Sequence, residues 1–353
     1  MPAKYENIAL DLKAALPSMI ERGVTRLPSE AELCEKYGTS RQTVRSALEL
    51  LERDGLIDKR HGSGSYIRVR PASREIALLV PSEYDYIYPS VIRTIRAETE
   101  SLGFTLHVYI TAFSSARERE LLLGLLLTMP AGIICEGVKT AMPCLNADLF
   151  ASLEAKKVPL VFLGKAFREL GNAVTFGPDP YSEGYSLARY LIGRGQKDIC
   201  GILPYDDADG TEHYRGIVSA MRDEGIFPDD GSFLFLPRQE LTDYCAGKAV
   251  PMIDRFALSR ERKGRVIVCS SDELAYRIIK VIMRAGVKLP GETGVAAFGS
   301  TWYRTLGVPS ITATGCDFTE AGRAAAKAVI GAALNRPAIG MTQKSILYVG
   351  ESC

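Results

Sequence analysis

At 353 residues the chain is long enough for two or three domains with full-sized cores. Its 46% hydrophobic and 24% charged content is that of an ordinary soluble globular protein, and a formal charge of +1 excludes a polycation. Any affinity for nucleic acid must therefore come from a local excess of positive charge.

Residues 5–20 carry Ile8, Leu12 and Leu16 at helical spacing, despite Pro17, and predict a helix that backs the next two. The stretch 27–67 holds the strongest local signals. Pro28 suits the first turn of a helix, Ser29 can cap it, and Glu32 stands three residues on, as a capping box requires. Leu33 should face inward and Gly38 should end the helix. Thr39-Ser40 then caps a second helix with Val44, Ala47, Leu48 and Leu51 at helical spacing. Ser40, Arg41, Gln42, Thr43 and Arg45 stay on its polar N-terminal turns. Leu56-Ile57 and Tyr66-Ile67 bracket Gly62-Ser63-Gly64, the pattern of a β-hairpin with Lys59, Arg60 and His61 at its tip.

Two short helices joined by a Gly turn, then a hairpin, read as a winged helix-turn-helix. Arg can fork to guanine, Gln can pair with adenine, and the Thr methyl can meet that of thymine. Basic residues at a wing tip can meet phosphate or enter a minor groove. From Arg41 to Arg74 there are eight Lys/Arg against four Asp/Glu, so positive charge gathers where the motif needs it. The alternative is a small helical domain that pairs with protein; the basic helix start and basic wing together favour DNA.

The stretch resembles the GntR family of bacterial winged-helix regulators, over roughly the first fifth of the chain. The resemblance implies that Arg41, Thr43 and Arg45 face DNA, with His61, Gly62 and Gly64 in the adjacent groove, flanked by Arg60 and Ser63. The family commonly has Arg after Pro-Ser-Glu, where this chain has Ala31. That contact is missing or is supplied by a neighbour such as Glu30.

Arg68 to Arg74 is short, basic and contains Pro71, the composition of a linker that can track phosphates. The expected division is a winged helix-turn-helix domain (α+β) at 1–70, a linker at 71–75 and an α/β domain at 76–353. In the last, Ile76-Ala-Leu-Leu-Val80 is an apolar run stopped by Pro81, the mark of a buried parallel strand. Helix 90–102, strand 105–110, helix 116–127, strand 132–135, helix 147–155 and strand 160–163 follow. A second series runs helix 182–194, strand 199–203, helix 212–224, strand 233–236, helix 247–258, strand 266–269, helix 273–285 and strand 294–298. Such alternation means doubly wound parallel sheets, and two series mean two lobes with a cleft between them. Ligands in such folds sit at the carboxyl ends of the strands.

This alternation, with Ser-Ser-Asp-Glu-Leu-Ala at 270–275, Val-Lys-Leu-Pro-Gly-Glu-Thr-Gly at 287–294 and Thr-Glu-Ala-Gly-Arg-Ala-Ala-Ala at 319–326, resembles the LacI/GalR effector domain, whose fold is like the type I periplasmic sugar-binding proteins. Tyr86 and Tyr88 follow the first strand, where the family places aromatic or apolar ligand contacts; packing against the first helix is the equal alternative. The resemblance also brings Phe318 and Asp272 to the pocket, with Ser271 in place of a ligand-touching Asn. It implies departures too. Gly299 stands where the family has a sugar-binding Asp, and Gly164, followed by Lys165, where it has an acid or amide. His213, with Arg215 displaced beside it, replaces an Arg three residues before Gly216. With acids gone and Lys165, His213 and Arg215 near the cleft, the expectation is that an acidic sugar or sugar phosphate binds more tightly than a neutral aldose.

The eight Cys contain no C-x-x-C pair and do not alternate with the three His, so no metal is expected. Cys135, Cys200 and Cys269 lie in apolar runs and read as buried free thiols, which suits a reducing cytosol. Lys4, Glu6, Asp11 and Lys13 near the N-terminus, and the lack of an apolar run of about 18–20 residues, predict neither signal peptide nor membrane span. There is no G-x-S-x-G, no P-loop and no G-x-G-x-x-G between strand and helix, so no enzyme activity and no cofactor are expected. The resemblances imply a cytoplasmic transcription regulator, most simply a repressor. It would bind double-stranded operator DNA as a homodimer and respond to a sugar or sugar derivative. The other possibilities are an effector site that is lost or takes an anionic non-sugar ligand, and a plain carbohydrate-binding protein.

Overall fold

The computed structural model describes residues 4–21, 24, 26–53, 56–60, 64–67, 73–259 and 264–353. The chain forms two compact units, Met1–Ser73 and Arg74–Cys353.

In the first unit, α1 (Lys4–Glu21), α2 (Glu30–Tyr37) and α3 (Arg41–Arg53) pack on one small core. Ile8, Leu12, Leu16, Leu33, Val44, Ala47, Leu48, Leu51, Ile57 and Ile67 are all buried in it, so the helical periodicity marked the inward face correctly. Helix α2 starts with a complete capping box: the Ser29 hydroxyl accepts from the Glu32 amide, and the Glu32 carboxylate accepts from Ser29. Pro28 precedes that cap instead of entering the first turn, because Ser29 itself holds the extended cap conformation. Gly38 closes α2 in the left-handed region. The wing is an antiparallel pair, β1 (Ile57–Arg60) and β2 (Gly64–Ile67), with Ile57 opposite Ile67. Residues 61–63, the tip, lie outside the described residues, as do the Arg60 side chain and the linker arginines Arg68 and Arg70.

The second unit is two doubly wound lobes. The first lobe's sheet, entirely parallel, contains β3 (Glu75–Val80), β4 (Thr105–Ile110), β5 (Gly132–Cys135), β6 (Leu160–Leu163), β7 (Val174–Pro178) and, from far along the chain, β13 (Met341–Gln343). Their order is β13-β7-β6-β5-β3-β4. Alternate residues of β3 feed cores on opposite faces: Ile76, Leu78 and Val80 on one, Ala77 and Leu79 on the other. Helices α4 (Tyr88–Ser101), α5 (Ser115–Thr128) and α6 (Ala147–Ala155) cover those faces, joined by α13 (Phe318–Ala333), whose Ala321, Ala325 and Val329 pack beside Val91 and Ile95.

The second lobe's sheet contains β8 (Ile199–Pro204), β9 (Phe233–Leu236), β10 (Arg265–Cys269), β11 (Thr293–Phe298), β12 (Thr312–Gly315) and β14 (Ile346–Tyr348), in the order β14-β12-β11-β10-β8-β9. Only β14 is antiparallel among these described strands. Its helices are α7 (Pro180–Gly193), α8 (Ala208–Asp223), α9 (Arg238–Cys245), α10 (Pro251–Leu258), α11 (Asp272–Arg284) and the short α12 (Tyr303–Leu306). The chain crosses between lobes three times, at 178–180, 315–318 and 343–346. The crossovers are tied together: the Gln343 amide donates to the Asp317 carbonyl, and Ser345 Oγ donates to Glu183 at 2.5 Å.

The sequence pattern misses β7, β12, β13 and β14, which are short edge or crossover strands without a continuous apolar run. It also merges a region that the structure splits. The helix expected over 247–258 is α10 alone, and α9 precedes it, because Gly247 takes a positive φ of 92° and Pro251 restarts the helix at its first turn. All eight cysteines are free, and burial pushes the Cys135 and Cys269 thiols well above their usual range, which makes them unreactive. Among the described residues no helix is long and apolar enough to cross a membrane.

Candidate functional site

On the first unit the candidate site is the start of α3. Ser40 accepts from the Thr43 amide, and the two hydroxyls lie 2.9 Å apart, which fixes the turn. Arg41, Gln42 and Arg45 are exposed and Thr43 is half-buried, on the side of α3 away from Val44 and Leu48. Arg45 is held by a two-oxygen ion pair to Glu30, at 3.0 and 3.2 Å, which points it from α3 toward the start of α2. Glu30 therefore reaches the surface as an orienting partner of Arg45. Lys59 is no tip residue: it sits in β1 opposite Ser65, within 3.6 Å of Glu52 on α3. Gly64 begins β2. Arg26 is a surface cation that no sequence motif marked. It bridges to Tyr66 as a third strand-like segment beside the wing, its guanidinium over the Tyr66 ring.

On the second unit a cavity of about 160 Å³ lies between the lobes, at the carboxyl ends of the strands. That is room for a small organic molecule and not merely a water or two. Each wall comes from the residue or loop that follows a strand: Tyr86 and Tyr88 after β3, Glu136 after β5, Gly164 and Lys165 after β6, Asp207 and Asp209 after β8, Arg238 after β9, Ser270 and Ser271 after β10, and Gly299 after β11.

Arg238 is its centre. It donates to Glu136 Oε1 at 2.8 Å, to Asp207 Oδ2 at 2.8 Å and to the Tyr88 hydroxyl at 2.9 Å, while Tyr88 donates to Glu136 at 2.9 Å. Glu136 and Tyr88 belong to the first lobe, Arg238 and Asp207 to the second, so the cluster ties the lobes together. The Asp206 carboxylate accepts from the Arg238 amide at 2.8 Å and fixes where α9 begins. Burial opposes the Arg238 charge, but Tyr88, Asp207 and Glu136 together hold it firmly protonated. Burial raises Glu136, and Arg238 opposes that rise.

Tyr86, Tyr88, Lys165, His213, Ser271 and Phe318 all line the cavity. Ser271 also caps α11 by accepting from the Leu274 amide. His213 stacks on Phe298, ring centres 3.6 Å apart, and its Nε2 lies 2.9 Å from Glu183. Two expectations need correction. Asp272 stands behind the wall: it accepts from the Tyr86 hydroxyl at 2.7 Å and from the Thr301 amide and hydroxyl, so it positions Tyr86. Arg215 lies on the outer side of α8, exposed, paired with Glu212 and over the Tyr181 ring. Two residues along a helix is more than half a turn, so a buried His213 turns Arg215 outward.

The glycine departures also have a structural reading. A Cβ on Gly299, already at φ 102°, would stand 2.4 Å from the Tyr86 hydroxyl, so the Tyr86–Asp272 bond occupies the room for a side chain there. A Cβ on Gly164 would stand 3.2 Å from Asp209 Oδ2 of the opposite lobe. The expectation of a cationic pocket is thus reversed. Asp85, Glu136, Glu183, Asp207, Asp209 and Glu273 line the cavity against Arg238, Lys165 and His213, and Arg238 is already engaged by two of the acids.

A helix-turn-helix with a wing and a two-lobed parallel α/β unit with a cleft define a DNA-binding transcription regulator with a ligand-binding body. The family comparisons agree region by region. Residues 4–67 match the model of the bacterial regulatory proteins of the gntR family, and residues 188–353 match the periplasmic binding protein-like domain. The chain thus pairs a head that matches the gntR model with a two-lobed α/β unit whose C-terminal part matches the periplasmic binding protein-like model. It is similar to the arabinose metabolism transcriptional repressor of Halalkalibacterium halodurans, 25% identical over 94% of this chain and 89% of the relative. It is also similar to that of Geobacillus stearothermophilus, 27% identical over 91% and 90%. Among solved structures, a periplasmic binding protein/LacI transcriptional regulator from Alkaliphilus metalliredigens, complexed with D-xylulofuranose, shares the fold. It has a TM-score of 0.67 and 18% identity over 79% of this chain and 99% of that one.

Proposed function

We propose that this chain represses carbohydrate-utilisation genes in the cytoplasm and is released from its operator by an uncharged sugar bound between the lobes. The observation that carries the ligand class is Arg238 held between Glu136 and Asp207, with Tyr88 completing the cluster. Paired charged donors and acceptors suit the several hydroxyls of a sugar, and aromatic faces such as those of Tyr86 and Phe318 suit its C–H surfaces. A carboxylate or phosphate would meet acids on several sides. The relatives' roles as arabinose metabolism repressors, and the xylulofuranose in the Alkaliphilus structure, support the same reading.

Arg41, Gln42, Thr43 and Arg45 read bases from α3, and the wing residues Arg60 to Gly64 contact the same DNA. One head covers too few base pairs for specific binding, so two chains act on a two-fold operator, paired through their effector units. A mobility-shift titration on DNA from upstream of the gene tests this. Neutral aldoses should release the complex, and light scattering should give a dimer. Release by a sugar phosphate and not by any neutral sugar would overturn the ligand class.

A further inference from the structure

We propose that Asp209 is a specificity residue of the cavity: its carboxyl binds an oxygen of an uncharged sugar as a hydrogen-bond donor, on a wall whose other acids, Asp207, Glu136 and Glu183, turn away carboxylate and phosphate ligands. The inference rests on the sugar-effector reading above and adds which wall selects against charge.

Three observations carry it. The first is placement. Asp209 lies in the first turn of α8 on the cavity wall, and its Oδ2 approaches the place that a side chain at Gly164 would fill. Here the first lobe offers only Gly164, and the acid arrives from the second lobe. The second observation is an unmet need. Asp209 Oδ1 is buried and has no hydrogen-bond partner in the protein. Such an atom is costly in a folded protein, and a ligand that draws the carboxyl round into the cavity relieves that cost.

The third is electrostatic. Asp207 at the cap of α8, Glu136 after β5 and Glu183 on α7 face Asp209, and Arg238 from α9 offsets them only in part. Cys316, at the middle crossover, is near enough to feel its charge but is held as a neutral thiol. Burial first, and then the neighbouring carboxylates, push the Asp209 carboxyl up to about 8. At neutral pH it is therefore mostly protonated. A protonated carboxyl can donate where a carboxylate can only accept, so it can serve a hydroxyl or ring oxygen. A ligand anion placed there would face Asp207, Glu136 and Glu183 instead.

Binding that uses the protonated form is flat well below the carboxyl's raised pKa, weakens as the pH rises through it, and falls above it by at most tenfold per unit. The test is calorimetric titration of full-length protein with arabinose across that range. Wild-type affinity should be flat below the step and fall above it. Asp209→Asn, always neutral and able to donate, should keep the affinity and lose the step. Asp209→Ala should bind about tenfold more weakly at every pH and show no step. Unchanged urea unfolding of the effector unit in both variants confirms that they fold. Wild-type binding with no step, or undiminished binding by Asp209→Ala, overturns the role of Asp209 alone. If wild-type protein binds neither arabinose nor any other neutral aldose at any pH, the sugar reading itself fails, and this inference with it.

Discussion

The head and the effector cavity are built in opposite ways. The helix-turn-helix surface comes from one run, Ser29 to Arg53, and the ties that set its caps and Arg45 stay within that run: Ser29 with Glu32 and Ser40 with Thr43, three residues apart, and Arg45 with Glu30, fifteen apart. The cavity draws single residues from loops and helix starts spread between Asp85 and Phe318, and its central cluster joins Tyr88, Glu136, Asp207 and Arg238 across two lobes. A surface made by local rules tolerates the loss of one residue with a local effect. A surface assembled by topology depends on a few long-range ties.

The largest expected effect is therefore in the cavity. Arg238→Ala strands Glu136 and Asp207, both mostly buried, without their counter-charge. Because Arg238 is about one-third exposed, the loss should be discounted from that of a fully buried pair, to roughly 2–4 kcal/mol in urea unfolding. Sugar binding should be lost with it. An unchanged unfolding midpoint would mean that the cluster does not tie the lobes.

Next in size, Arg41→Ala should cost roughly 1–3 kcal/mol of operator affinity, in a sequence-dependent way. Arg45→Ala should do the same and also release Glu30. Competition between operator and unrelated DNA in a mobility shift checks both; equal losses on all sequences would make them phosphate contacts only. The smallest effect belongs to the cap. Ser29→Ala should lower the stability of the head by about 1 kcal/mol in thermal unfolding and leave sugar affinity untouched. A change in sugar affinity would break the separation between the two regions.

The same contrast explains what was legible in the sequence. Caps, helical spacing and the hairpin bracket act within a few residues, so the core of the head and the ends of α2 and α3 can be read along the chain. The parallel strands were legible as apolar runs, and β5, α6, β6 and β9 begin and end where the pattern put them. Glu136, Asp207, Asp209, Glu183 and Arg238 were not recognised, because nothing beside them in sequence marks them. The one usable signal is position: Glu136, Asp207 and Arg238 each come closely after the end of a strand, where such folds bind ligands. Arg238 was further hidden by the missed helix α9. The charge expectation failed for the same reason, since it counted Lys165, His213 and Arg215 and could not see the acids that the fold brings across from the other lobe.

The central claim is that an uncharged sugar in this acidic cavity and DNA on the head oppose one another. It is tested most directly by titrating arabinose, a uronate and a sugar phosphate into the protein, with and without saturating operator. Coupling between sites is reciprocal, so operator should weaken arabinose binding by the same factor by which arabinose weakens operator binding, and the two anions should bind poorly in both cases. Tight binding of either anion, or arabinose binding that operator leaves unchanged, would contradict the account.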